Sequence, residues 1–154
     1  MAKQAEKPES HSIYGNMAVP YTYAVGAFGS RFFIELRDNK KIMGVRCPQC
    51  NVVYMPPRSV CGKCFSQLDE WVELSDKGTI LTYTVVNYKE ATHPPDVNPP
   101  FVYGVVQLDG ADTGFTHLIS GVDPEKVTIG MKVQAVFKEK REGNMLDIEY
   151  FKPL

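Results

Sequence analysis

The stretch CPQCNVVYMPPRSVCGKC, residues 47–64, decides how this chain folds. It carries every cysteine of the sequence, as two Cys-x-x-Cys pairs, Cys47/Cys50 and Cys61/Cys64, with residues 51–60 between them. A Cys-x-x-Cys turn lets two thiolates reach one ion. Two such turns complete a tetrahedral, all-sulfur shell that leaves no position for a substrate. The intervening segment suits a short hairpin, and Pro56-Pro57 marks its turn. The pattern predicts a structural zinc ribbon with Cys47, Cys50, Cys61 and Cys64 as ligands. Iron accepts the same soft ligand set, so zinc and iron both remain open at this stage. A dithiol redox centre would instead place one pair beside a strand–helix unit. Disulfides would go with an export signal, and residues 1–10 (MAKQAEKPES) contain no apolar core of one.

Downstream of the cysteines the pattern turns to strands. Residues 79–88 (TILTYTVVNY), 101–108, 113–119, 131–138 and 145–151 are rich in β-branched and aromatic side chains. Val133, Ala135 and Phe137 alternate with Lys132, Gln134 and Lys138, and Leu146, Ile148 and Tyr150 alternate with Asp147 and Glu149. Period-two alternation means one buried face per strand. Five such strands in a short span would leave open edges as a flat sheet. Closure into a small OB-type barrel is the expected solution. Glu142-Gly143-Asn144 supplies a hairpin turn with positive φ. Residues 89–100 (KEATHPPDVNPP), with four prolines, form a stiff loop between the first two barrel strands.

Upstream, residues 20–39 read as helix, with Pro20 at a first turn, Ser30 as a cap, and Gly26 and Gly29 dividing two short helices. Phe32, Phe33 and Leu36 recur at helical spacing. The expected fold is therefore mainly β: N-terminal helices, a zinc ribbon and a C-terminal five-stranded OB barrel. The divisions fall at 1–19 (flexible tail), 20–40, 41–70 and 71–154. With 154 residues, 44% hydrophobic and 23% charged, the composition is that of a soluble globular chain. A net charge of −1 argues against a dedicated polyanion binder. The longest weakly apolar stretch, residues 17–28, is broken by Pro20 and Gly26 and is too short to span a bilayer. Metal-bound cysteines without an export signal imply a cytoplasmic protein.

Further segments extend the pattern in a fixed order: Phe32-Phe33 with Leu36, Lys41-Ile42-Met43-Gly44-Val45-Arg46-Cys47, Pro56-Pro57-Arg58, Trp71-Val72-Glu73-Leu74 and Lys77-Gly78-Thr79. Gly121-Val122-Asp123-Pro124 and Ile129-Gly130-Met131-Lys132-Val133 follow. Over about residues 21–153 the chain resembles the domain-of-unknown-function 35 family, acyl-CoA-associated proteins with a rubredoxin-like zinc ribbon and an OB-fold. Asn51 departs from the glycine common after the first knuckle, but asparagine tolerates the left-handed backbone needed there. The resemblance implies a non-catalytic accessory protein that binds a thiolase-like enzyme and helps enclose a CoA or acyl-CoA ligand. The partner would supply the reactive residues.

Within that expectation, Arg58 and Lys63 on the ribbon are the candidate phosphate contacts of CoA. Tyr21, Tyr23, Phe28, Phe32 and Phe33 crowd into 13 residues and are the candidate partner-docking surface. No catalytic residue is expected. His11, His93 and His117 have no motif-placed nucleophile or carboxylate beside them, and Gly26-Ala27-Phe28-Gly29 lacks the lysine of a phosphate loop. The competing reading is a single-stranded nucleic-acid-binding OB module, with Tyr83, Tyr88, Phe101 and Tyr103 as stacking platforms.

Overall fold

A computed structural model describes residues 11–13, 15, 21–90, 93 and 97–154. The tail expected at 1–19 lies outside the described residues except at 11–13 and 15, as do Pro20 and positions 91, 92 and 94–96 of the proline-rich loop.

Among the described residues the N-terminal region contains one helix, α1 (Gly26–Asn39), where two were expected. Gly26, at φ +71°, turns the chain into the helix and does not end an earlier one. Gly29 lies inside α1, where a Cβ would come within 2.9 Å of Val25 Cβ, so its missing side chain lets the entering chain pack on the first turn. Ser30 caps nothing; the residue preceding the helix is Val25, without a side-chain cap. At the other end Lys40 adopts the left-handed conformation, and its N–H closes on the Glu35 carbonyl.

The ribbon is a three-stranded antiparallel sheet of β1 (Ile42–Arg46), β2 (Val53–Tyr54) and β3 (Glu70–Leu74), in the order β2-β1-β3. The expected division at 70/71 falls inside β3, which pairs along all of β1, with Ile42 opposite Leu74 and Arg46 opposite Glu70. From β3 the chain passes through Ser75-Asp76 into β4 (Lys77–Val86), the first barrel strand. Strands β5 (Phe101–Leu108), β6 (Gly114–Ile119), β7 (Lys132–Phe137) and β8 (Ile148–Pro153) complete a closed barrel, ordered β4-β5-β6-β8-β7.

Local irregularities shape the barrel. The register of β4 shifts between Ile80 and Thr82, a bulge that lets one ten-residue strand serve both β5 and β7. The last strand starts later than its alternation predicts. Residues 145–147 form a 3-10 turn in which Asn144 and Asp147 cap each other. The buried Asp147 carboxylate also accepts the N–H groups of Glu142 and Gly143, both at 2.8 Å. Local side-chain-to-backbone bonding here outcompetes strand pairing, leaving Leu146 exposed and Phe151 buried.

One core runs through both modules. Phe32 and Leu36 of α1, Ile42, Val53, Met55 and Leu74 of the ribbon, and Ile80, Val106, Ile148 and Phe151 of the barrel belong to one buried cluster. The β5–β6 turn then clamps the ribbon. Asp112 N–H donates to Val53 O (2.9 Å) and its Oδ2 accepts Val53 N–H (2.8 Å). The Thr113 hydroxyl accepts Met55 N–H and donates to Met55 O, both at 2.8 Å.

Candidate metal centre and its surroundings

The two knuckles are built alike. In the first, Cys47 O accepts Asn51 N–H (2.9 Å), Cys50 N–H points to Cys47 Sγ (3.3 Å), and Cys47 N–H bonds Val52 O (2.9 Å). In the second, Cys61 O accepts Phe65 N–H (3.1 Å), Lys63 N–H points to Cys61 Sγ (3.4 Å), and Cys61 N–H bonds Ser66 O (2.9 Å). Each turn ends on a left-handed residue, Asn51 at φ +58° and Phe65 at φ +60°.

These turns aim four sulfurs at one point. All four lie within 4.8 Å of one another, with Cys47–Cys64 at 3.5 Å and Cys50–Cys61 at 3.9 Å. Four sulfurs each about 2.3 Å from a central zinc would lie about 3.8 Å apart. The donor set and its spacing fit that ion. The Tyr54 hydroxyl lies 3.3 Å from Cys61 Sγ, and the Ser66 hydroxyl lies 3.3 Å from Cys47 Sγ and 3.1 Å from Cys64 Sγ. Tyr54 also accepts Gly62 N–H at 3.2 Å. Hydrogen bonding from Tyr54 lowers the Cys61 thiol to about 5, against the effect of burial. Cys50, hydrogen-bonded to Cys64 and then penalised by burial, is pushed up to about 12. Four thiolates so close together repel one another, and a cation held between them would compensate that charge. Val45, Tyr54 and Leu68 bury the centre, with Phe28 and Trp71 packed against them.

The candidate phosphate contacts sit on this ribbon. Arg58 lies over the Tyr54 ring, 4.8 Å from its centroid, and Lys63 lies at the tip of the second knuckle. Both are exposed, and neither has a carboxylate within salt-bridge distance among the described residues. Lys41 and Arg46, by contrast, pair with Glu73 (2.6 Å) and Glu70 (3.4 Å). Residues 40–68 hold Lys40, Lys41, Arg46, Arg58 and Lys63 and no aspartate or glutamate.

The aromatic candidates divide. Tyr21 and Tyr23 are 79% and 70% exposed and pair at 5.8 Å. Phe28 stacks on Trp71 at 5.3 Å, while Arg31 covers that indole at 4.4 Å. Phe33 is half-buried. Phe32 is 1% exposed, in the shared core, and does not belong to a docking surface. It shares the inward face of α1 with Leu36, as residues four apart do.

His117 and His93 have backbone groups as their only hydrogen-bond partners among the described residues. His117 is buried inside the barrel beside Phe115 and Phe151. Its Nδ1 accepts Leu118 N–H (2.9 Å) and its Nε2 donates to Met145 O (3.3 Å). Strands β6 and β8 meet at a single pair, Ile119 and Phe151, so this imidazole bonds across the seam where their ladder stops. His93 packs between Tyr88 and Phe101, with Nδ1 accepting Glu90 N–H. Of the supposed stacking platforms Phe101 is buried, Tyr83 and Tyr103 are half-buried, and Tyr88 alone is exposed. Gly26-Ala27-Phe28-Gly29 is the first turn of α1. A concavity of about 570 Å³ lined by Phe101, Leu118, Ile119, Met145 and Tyr150 lies at the end of β5 and β6 remote from the ribbon. No described helix is long and apolar enough to cross a membrane.

Sequence reasoning missed Tyr54, Ser66, Asp112 and Thr113. Ser66, two residues past Cys64, was detectable as a hydroxyl within reach of a knuckle sulfur. The clamp residues, nearly 60 positions from their ribbon partners, carried no local signal.

A four-cysteine ribbon fused through a shared core to a five-stranded OB barrel defines a class of small two-module zinc-ribbon proteins. In comparison with known families, residues 35–70 match the ChsH2 rubredoxin-like zinc ribbon domain, and residues 71–138 match the ChsH2 C-terminal OB-fold domain. A DUF35 domain-containing scaffold protein of Methanocaldococcus jannaschii is 35% identical over 129 residues, 80% of this chain and 89% of that protein. A scaffold protein of the same description from Pyrococcus furiosus is 28% identical, over 73% of this chain and 80% of its own length. The chain belongs to the DUF35 family. Among solved structures, a chain of the Ltp2-ChsH2(DUF35) aldolase has the same fold, with a TM-score of 0.63, 24% identity, and coverage of 86% of this chain and 98% of that one. A DUF35 protein of unknown function from Sulfolobus solfataricus superposes with a TM-score of 0.59 at 25% identity, over 72% of this chain and 78% of its own.

Proposed function

We propose that this chain is a non-catalytic scaffold subunit that binds a thiolase-like enzyme and, together with it, encloses the CoA portion of an acyl-CoA. The observation that carries the proposal is a pair of exposed cations, Arg58 and Lys63, without carboxylate partners among the described residues, on a four-cysteine ribbon whose sequence from 40 to 68 has no acidic residue. Such a surface leaves positive charge for an external anion. One face of the Arg58 guanidinium lies on Tyr54, which holds the group in place while its N–H edges stay available for a phosphate. The description of relatives as scaffold proteins and the occurrence of this fold within an aldolase complex support an accessory role.

Zinc in the four-cysteine site would supply folding energy and fixed geometry. The chain's own residues would do the recognition: Arg58 and Lys63 bind phosphate, Tyr54 orients Arg58, and the Asp112–Thr113 clamp fixes the ribbon on the barrel.

Titration calorimetry with CoA tests the proposal. The protein alone should bind CoA weakly, and its complex with the thiolase-like enzyme should bind more tightly than either component. Each charge-assisted contact contributes about 1.5–3 kcal/mol, so Arg58→Ala should weaken CoA binding in the complex roughly tenfold or more. Tight binding to the isolated chain would refute the shared site, and an unchanged affinity for Arg58→Ala would remove that residue from it. Salt-sensitive preference for single-stranded DNA over CoA would move the assignment to nucleic acid.

A further inference from the structure

We infer that Phe65, at the tip of the second knuckle, is the anchor by which the ribbon seats in an apolar pocket of its enzyme partner. The inference rests on the proposed scaffold role and names the residue through which it acts. Phe65 is 78% exposed, whereas the other seven phenylalanines of the chain are buried or half-buried. It also occupies a backbone conformation, φ +60°, that side chains with a Cβ rarely adopt. The equivalent position of the first knuckle holds Asn51 at φ +58°, a residue that suits this conformation. The knuckle therefore requires a left-handed residue here, and neither the backbone nor the hydrophobic core explains why it is phenylalanine. A strained, exposed aromatic on a rigid turn is a feature expected at binding sites.

The backbone that carries the ring is fixed. Phe65 N–H is bonded to Cys61 O, the preceding residue is the ligand-class Cys64, and the following Ser66 is tied to the sulfurs of Cys47 and Cys64. With the backbone already ordered, only the two χ angles of the ring remain to be fixed when it enters a pocket, a small entropy cost. Charge specifies the surroundings of that pocket. Lys63 lies two residues away, Arg58 packs beside Gly62 with Nη1 3.0 Å from where a Cβ would stand, and no acid occurs between 40 and 68. The partner surface is accordingly apolar where Phe65 enters and anionic at the rim, the rim being the phosphates of CoA held at the mouth of the enzyme's own site.

The test uses the zinc-loaded full chain. Wild type immobilised in a lysate of the source organism should capture a thiolase-fold enzyme, which is then purified and titrated by biolayer interferometry in CoA. Phe65→Gly and Phe65→Asn remove the ring while relaxing the backbone, so zinc content should be unchanged and the melting temperature equal or higher. Enzyme affinity should fall roughly tenfold or more, as for a central aromatic anchor, while Phe65→Leu should retain most of it. Equal affinity of wild type and Phe65→Gly would overturn the anchor and leave the scaffold role standing. Failure of wild type to bind any thiolase-fold enzyme would overturn both. A lower melting temperature or lost zinc in both Phe65→Gly and Phe65→Asn would show the ring to be structural and also overturn the anchor.

Discussion

Replacing Thr113 by valine should loosen the ribbon from the barrel without changing the shape of either. The Thr113 hydroxyl both accepts Met55 N–H and donates to Met55 O at 2.8 Å, and Met55 is 1% exposed. Valine fills nearly the same space, so packing is kept and two buried backbone groups lose their partner. An unsatisfied buried polar group costs about 1–3 kcal/mol. Thr113 itself is half-buried, which lets water reach part of the gap and favours the lower half of that range. With each group at the bottom of that range, the two together should cost about 2 kcal/mol. With a urea slope of about 2 kcal/mol/M, the midpoint should fall by about 1 M. Trp71, the single tryptophan, lies in ribbon strand β3, so its fluorescence reports the ribbon, and far-UV circular dichroism reports mainly the barrel. Wild type should unfold with coincident transitions because the two modules share one core. In the variant the fluorescence transition should come first. A fluorescence midpoint within about 0.2 M of wild type, well inside the expected shift, would refute the clamp's role.

Three further outcomes are expected. Metal analysis should find one zinc per folded chain, and Cys61→Ser or chelation should unfold the ribbon and lower solubility; well-folded, metal-free protein would contradict this. Burial lowers the His117 pKa below its usual 6.5. The unfolded chain therefore binds a proton at that group before the folded one does, so stability should be full above about pH 6.5 and decline as pH falls through the folded pKa. Denaturation midpoints across pH 4–8 for wild type and His117→Gln check this; identical pH profiles would exclude the residue as the cause. Gly78→Ala should destabilise by about 2–3 kcal/mol, because its Cβ would lie 2.4 Å from Gln107 O, a backbone atom within a paired strand; thermal melts within a degree of wild type would argue otherwise.

The elements legible in the sequence were those whose signal is local. The knuckle spacing predicted where four sulfurs converge, and the alternation at Val133, Ala135 and Phe137 predicted the inward face of β7. The misread places involve competition between signals. The heptapeptide Met145–Phe151 alternates like a strand, yet Asn144 and Asp147 offer the backbone a cap that wins over its first three residues. Phe32 and Phe33 look equally available as neighbours in a sequence dense in aromatics. Helical geometry sends one into the core and leaves the other at the margin. The pairing of Trp71-Val72-Glu73-Leu74 with β1 is a long-range fact that nothing local in the sequence signals.

The absence of acidic residues from 40 to 68 bears on how samples of this protein will behave. Four thiolates and one divalent ion together carry two formal negative charges, set among five basic side chains. If the metal is lost and the thiols take up protons, those two charges disappear and the same segment becomes more cationic. Incompletely loaded preparations should then elute later from heparin or phosphocellulose, by an amount that salt suppresses. Retention on a polyanion column is in this protein a gauge of metal occupancy, and zinc-replete material is the proper reference for any nucleic-acid binding measured with it.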